Sequence, residues 1–174
     1  MRRMVAGALG ALFILMSFTT GKPAHTDETF KYEVLGRINT MRAKGCNCGG
    51  TYMPPADPVV WNDNLAISAY AHARDMAANR YFSHYSLDGR KLRDRTFAAG
   101  YAVTGYKSWT IGENIAQGQR SIREVTNDWF NSPGHCKNLM NPDFREVGVA
   151  VENLYWVQDF GGRVPFKENY QATQ

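Results

Sequence analysis

Cysteine and histidine are scarce in this chain, at three and four residues of 174, and several larger features are missing. No apolar run reaches the ~20 residues that a membrane-spanning helix needs. The longest extends from Met4 to about Phe18. No run of lysine and arginine with interleaved aromatics occurs, so the footprint of nucleic-acid binding is lacking and no nucleic-acid partner is expected. Internal repeats and low-complexity tracts are absent too, which excludes repeat architectures and leaves one domain as the reading for this length. Two histidines one helical turn apart, the compact mark of a zinc site, do not occur either.

What is present begins with a leader. The apolar run follows Arg2 and Arg3, the layout of a secretory signal, and the small residues Thr19 and Gly21 suit cleavage near Gly21. Residues 1–21 are therefore expected to be a signal peptide, with an uncleaved anchor as the second reading. No cysteine follows the run, which argues against a lipoprotein, and the arginine pair lacks the rest of a twin-arginine signal. Removing residues 1–20 takes away two arginines and no acids, so the formal charge falls from +4 to +2. The expected product is exported, periplasmic or extracellular, with no transmembrane segment after signal removal. In an oxidising compartment three cysteines give one disulfide and one leftover thiol.

Behind a short spacer, residues 22–29, Thr26-Asp27-Glu28 offers a helix N-cap. Phe30, Val34, Ile38 and Met41 recur at helical spacing, and Gly45 supplies a stop. Residues 45–60 hold glycines and prolines and read as a pinned loop. Asn62 can cap a second helix with Leu65, Ala69, His72 and Met76 along one face. A loop and a short helix ending at Gly100 follow, then a brief extended segment within 101–120. Ser121 to Glu124 is a capping box for a helix carrying Ile122, Val125 and Trp129, and Pro133 can open another short helix. Val147, Val149 and Val151 alternate with small residues, and "LYWVQDF" completes a hairpin turning near Asn153. Helices followed by an antiparallel pair make the class α+β.

Four histidines divide into two kinds. His72 falls in register with Leu65, Ala69 and Met76 and reads as a buried structural residue, while His25 reads as a solvated spacer residue. His84 and His135 stand beside turn residues, where side chains converge on clefts. Glu113, in "IGENIA", can orient an imidazole by accepting its N–H or help to hold a divalent metal. Cys136 is not served as a nucleophile by its neighbour His135, because adjacent helical residues point about 100° apart.

The segments "WNDNLAISAYAHARDMAANRYFSHYSLDG", "GENIAQG", "WFNSPGHCKNLMNPDFREVGVAV" and "YWVQDFG" together resemble the ordered motifs of the CAP superfamily, in its bacterial secreted SCP-like form, over about residues 30–162. That resemblance implies a three-layer α-β-α sandwich with a small antiparallel sheet between helices, a domain over 30–162 and a C-terminal tail over 163–174. It implies a cleft lined by His84, Glu113 and His135. A second acid of the family's cleft is missing, since Phe130-Asn131-Ser132 stands where it would fall, a departure common among bacterial members. The resemblance also pairs Cys48 with Cys136 and leaves Cys46 free; such a bridge closes a long loop, worth about 4 kcal/mol in the chain-entropy model.

Family members bind sterols, other lipids or divalent metals, act in defence or signalling, and in some cases are peptidases. The expectation for this chain is an exported binding or interaction module taking a small ligand, a lipid or a protein. His84 and His135 are its candidate ligands for a weakly held metal such as zinc. A metal-assisted hydrolase working in the same cleft is the alternative, ranked second because no activated water or nucleophile is evident in the motifs.

Overall fold

The computed structural model describes residues 24–166. The expected signal peptide lies outside the described residues. Local signals open most of the helices. Asp27 caps α1 (Glu28–Lys44) by accepting from the Thr29 and Phe30 amides, and Asn62 caps α2 (Asp63–Asn79) through the Leu65 amide. The short α3 (Leu92–Ala98) stops before Gly100. Ser121 caps α4 (Ile122–Asn131) through the Glu124 amide, and Pro133 occupies the first turn of α5 (Pro133–Met140).

The described residues also form six strands: β1 (Cys46–Cys48), β2 (Thr51–Met53), β3 (Val60–Trp61), β4 (Tyr106–Gln117), β5 (Glu146–Glu152) and β6 (Tyr155–Pro165). The main sheet has the order β3-β5-β6-β4. The β5–β6 hairpin turns through Asn153 and Leu154, both at positive φ, 46° and 66°, as a two-residue hairpin turn requires.

Alternation along the strands builds the three layers. Ala116, Val147, Val149, Trp156 and Phe160 point to one face and pack with Val34 and Ile38 of α1, Val125 and Trp129 of α4 and Leu139 of α5. Their neighbours Ile115, Ala150 and Val157 point to the other face, against Ala69, Ala73 and Met76 of α2. The fold is the expected α+β sandwich.

Several details differ from the sequence reading. The stretch 45–60 is not wholly loop, because Gly49 and Gly50, both at positive φ, turn β1 into β2 as a separate two-stranded sheet. The segment within 101–120 is not brief; β4 is 12 residues long and pairs with β6 along its length. The main sheet is not purely antiparallel, since β3 runs parallel to β5. The tail placed at 163 begins inside β6, and the spacer placed over 22–29 holds a 3-10 turn, Ala24–Thr26, and the start of α1. His25 in that turn is buried against the Tyr70 ring at 4.7 Å instead of solvated. On α1, Arg42 is fully buried and Met41 is not. Its guanidinium donates to the carbonyls of Asp57, Leu139, Asn141 and Phe144, at 2.6–3.1 Å, which offsets the cost of burying the charge. Burial, and then the charge of Arg145, lower its pKa to about 10, so it remains a cation at neutral pH.

Candidate functional site

The site forms around the edge strand β4, where the layers on both faces of the sheet can meet. Arg80 ends α2 in a left-handed conformation, φ 54°, and turns the chain into the loop that carries His84. Two buried side chains hold that loop. His72 Nε2 lies 2.9 Å from the Ser83 carbonyl, to which it donates, and Arg95 of α3 donates Nη1 to the carbonyls of His84 and Arg90, at 3.1 and 3.3 Å. Burial lowers the His72 pKa and favours its neutral, donating form. The structural reading of His72 agrees with its place here.

Glu113 points from β4 to the α2 side. Its Oε1 accepts from His84 Nδ1 at 2.7 Å and its Oε2 from Arg95 Nη2 at 2.6 Å. The Glu113 and Arg95 side chains are each only 3% exposed, whereas that of His84 is 52% exposed. The next residue, Asn114, alternates to the opposite face and donates to the His135 carbonyl at 3.3 Å, while Asn138 donates to the Glu113 carbonyl at 3.1 Å. These amides hang α5 on the same strand. His135 sits at the third position of α5, and burial, followed by the charge of His84, lowers its pKa. His84 and Glu113 line a cavity of about 270 Å³ together with Tyr85, Lys91 and Leu92; His135 is not among its lining residues. A larger cavity, about 440 Å³, lies between α1 and α4 and includes none of the predicted site residues.

Sequence reasoning missed two residues of this cluster. Arg95 binds both the carboxylate and the backbone of the histidine loop. Asp159 of β6 stands directly opposite Glu113 in the strand register, fully buried, with its Oδ2 accepting from Ser68 Oγ at 2.6 Å and its Oδ1 without a partner. Burial, then the Glu113 charge, push the Asp159 carboxyl well above the usual carboxylate range. "YWVQDFG" contains this aspartate, but only the β4–β6 register reveals its neighbour.

The donor set tests what metal the cleft could hold. With Nδ1–H given to Glu113, the His84 Nε2 keeps its lone pair for an ion, and the depressed His135 pKa keeps that imidazole neutral. Each Glu113 oxygen accepts one hydrogen bond, Oε1 from His84 and Oε2 from Arg95, an arrangement suited to orienting the imidazole. An ion held by these two imidazoles alone would keep open positions. Among the described residues, the group of three metal-ligating side chains within reach of one another is Cys46, Cys48 and Cys136. Two of these form the expected Cys48–Cys136 disulfide, with Cα atoms 5.5 Å apart, and Cys46 is free.

Known proteins resemble this chain in sequence and fold. YkwD of Bacillus subtilis is 40% identical over 108 residues, covering 61% of this chain and 40% of YkwD, so the chain spans less than half of that relative. The crystal structure of an extracellular SCP-domain protein from Bacillus anthracis superposes with a TM-score of 0.63 at 29% identity, over 75% of this chain and 39% of that one. An outer surface protein of Borrelia burgdorferi has the same fold, with a TM-score of 0.60 at 24% identity, over 79% of this chain and 96% of that one. The model of the CAP family, the cysteine-rich secretory protein family, matches residues 35–160, and with the sandwich and the ordered motifs in place the chain belongs to that family.

Proposed function

We propose that this protein is an exported binding or interaction module whose cleft holds a divalent ion weakly through His84 and His135 and presents it to a small ligand. The observation that carries the reading is the double engagement of Glu113, which fixes the His84 tautomer and commits the carboxylate to His84 and Arg95 instead of to a bound water. An ion bound there offers Lewis acidity and open positions, but hydrolysis needs a further base that this cluster does not supply. Export is favoured by the leader and by the extracellular and outer-surface descriptions of the structural neighbours. Among the described residues no helix is long and apolar enough to cross a membrane.

Calorimetry with Zn²⁺ tests the proposal. The mature protein should bind weakly and reversibly, binding should weaken as the histidines protonate, and His84→Ala and His135→Ala should each abolish it. A peptide and ester panel should show no metal-dependent turnover. Turnover that both substitutions remove, with folding intact, would promote the hydrolase over the module. Absence of zinc binding by the folded wild type would remove the metal from the reading.

A further inference from the structure

Away from the cleft, three sulfurs meet. Cys46 and Cys48 are two residues apart on β1, so their side chains share the face that meets α5. Cys46 Sγ lies 3.4 Å from Cys136 Sγ and 3.7 Å from Cys48 Sγ, almost equidistant from the two bridged atoms. Met53, Phe130 and Met140 close around the cluster. The bridge sulfurs belong to residues 1% and 0% exposed, while Cys46 is partly exposed. Gly49 packs on Pro133, which keeps the β1–β2 hairpin seated on the start of α5.

We propose that Cys46 is the nucleophile of a thiol–disulfide exchange centre that moves the bridge between Cys48–Cys136 and Cys46–Cys136 and opens it to external dithiols. The three sulfurs form a triangle, so Cys46 Sγ stands beside the bridge and must swing onto the line of the Cys48–Cys136 bond as it closes the 3.4 Å gap to a bond of ~2.05 Å. In the internal step the Cys46 thiol gives its proton to solvent and its thiolate attacks Cys136 Sγ. The Cys46–Cys136 bond forms, the Cys48–Cys136 bond breaks, and Cys48 leaves as a thiolate that takes up a proton. No electrons are gained or lost. In the external step one thiolate of a dithiol attacks the partly exposed Cys46 sulfur of the new bridge and releases Cys136 as a thiolate. The second thiol of the same dithiol then displaces Cys46 and closes the reagent into its cyclic disulfide. The balance is two further thiols on the protein, three in all, and one oxidised dithiol.

Two alternatives involve the same atoms. An inert leftover thiol packed beside the bridge predicts a single linkage at all times, which the linkage map below distinguishes from exchange. A three-thiolate metal site would require the bridge to be reduced first, so exchange precedes it. Burial pushes the Cys46 thiol up, and the Met53, Phe130 and Met140 side chains around it carry no charge to oppose that. The centre is therefore slow at neutral pH and faster in base.

The experiment incubates the intact mature protein at pH 8.5 without reductant, quenches in acid, alkylates and maps peptides unreduced. A second measurement follows reduction of the native bridge by dithiothreitol in wild type, Cys46→Ser and Cys46→Ala, with Tm recorded for each. The expected results are a Cys46–Cys136 linkage with Cys48 alkylated, alongside the Cys48–Cys136 form, and reduction about tenfold faster in wild type than in either variant. A single linkage at all times, or equal reduction rates in the three proteins, overturns the proposal. The linkage map needs no variant, so it stands even if a substitution unfolds the chain.

Discussion

At the scale of single residues, two carboxyls face each other across β4 and β6 in unlike surroundings. Glu113 is held by two donors, while Asp159, opposite it on β6, has burial and the Glu113 charge pushing its pKa upward. The linkage has a definite sign. Below the ordinary aspartate pKa, 3.8, the carboxyl is protonated folded or unfolded and contributes no pH dependence. Above it the unfolded chain releases the proton and the folded one retains it, so folding is increasingly disfavoured until the folded carboxyl also ionises. Asp159→Asn keeps an oxygen for Ser68 Oγ and removes the ionisation. Urea unfolding at pH 4 and pH 8 should therefore show the variant gaining on the wild type as pH rises. A difference between the two proteins that is the same at both pH values would mean that Asp159 does not titrate as described. The sequence made His84 and Glu113 legible because each sits beside turn residues in a quoted motif. Arg95 and Asp159 were illegible because their importance comes from a helix contact and a strand register, neither of which local spacing reveals.

Among the elements, the helices were the readable part. Their caps are local and their apolar residues recur at helical spacing, so Val34 and Ile38 or Leu65, Ala69 and Met76 announce a buried face. The β4 strand hid because its outer half is largely exposed and its inner half buries Glu113 and Asn114, which breaks the apolar alternation that marks a strand. The β1–β2 hairpin hid for a different reason: two glycines between three-residue strands look like any turn-rich loop. Close packing of α2 on the sheet makes a sharper test of this architecture. A Cβ added at Gly148 of β5 would run into the backbone of Leu65 and Ala66, which cannot move without shifting α2. Gly148→Ala should cost about 2 kcal/mol through overpacking. Gly36, inside α1, has nothing within 4 Å of an added Cβ, so Gly36→Ala should stabilise by about 0.5–1 kcal/mol through helix propensity. Thermal unfolding of the pair checks both signs. A neutral Gly148→Ala would show that α2 does not press on β5 as closely as the structure has it.

For the whole molecule, the three-layer plan and the family were legible because four motifs occur in one order, which together are far more specific than any one alone. The bridge between β1 and α5 was legible through the same resemblance, whereas the contact of Cys46 with it was not, since composition leaves a third cysteine merely unpaired. The bridge joins residues 88 apart, and in the chain-entropy model its loss costs about 4 kcal/mol. If Cys46 can take the place of Cys48, the replacement bridge spans 90 residues, so its loop-closure contribution is almost unchanged. The two ends of the native disulfide are then unequal. Cys136→Ser removes the sulfur that both linkages share and should lose about 4 kcal/mol of unfolding free energy, together with every disulfide. Cys48→Ser should retain a bridge from Cys46 to Cys136 and lose about 1 kcal/mol, the expense of a small shift in β1. Guanidinium unfolding of both variants, oxidised and after full reduction, separates the cases, because reduction should bring Cys48→Ser down to the level of Cys136→Ser. Equal losses in the oxidised proteins, with no linkage recovered from Cys48→Ser, would return Cys46 to the role of a spectator.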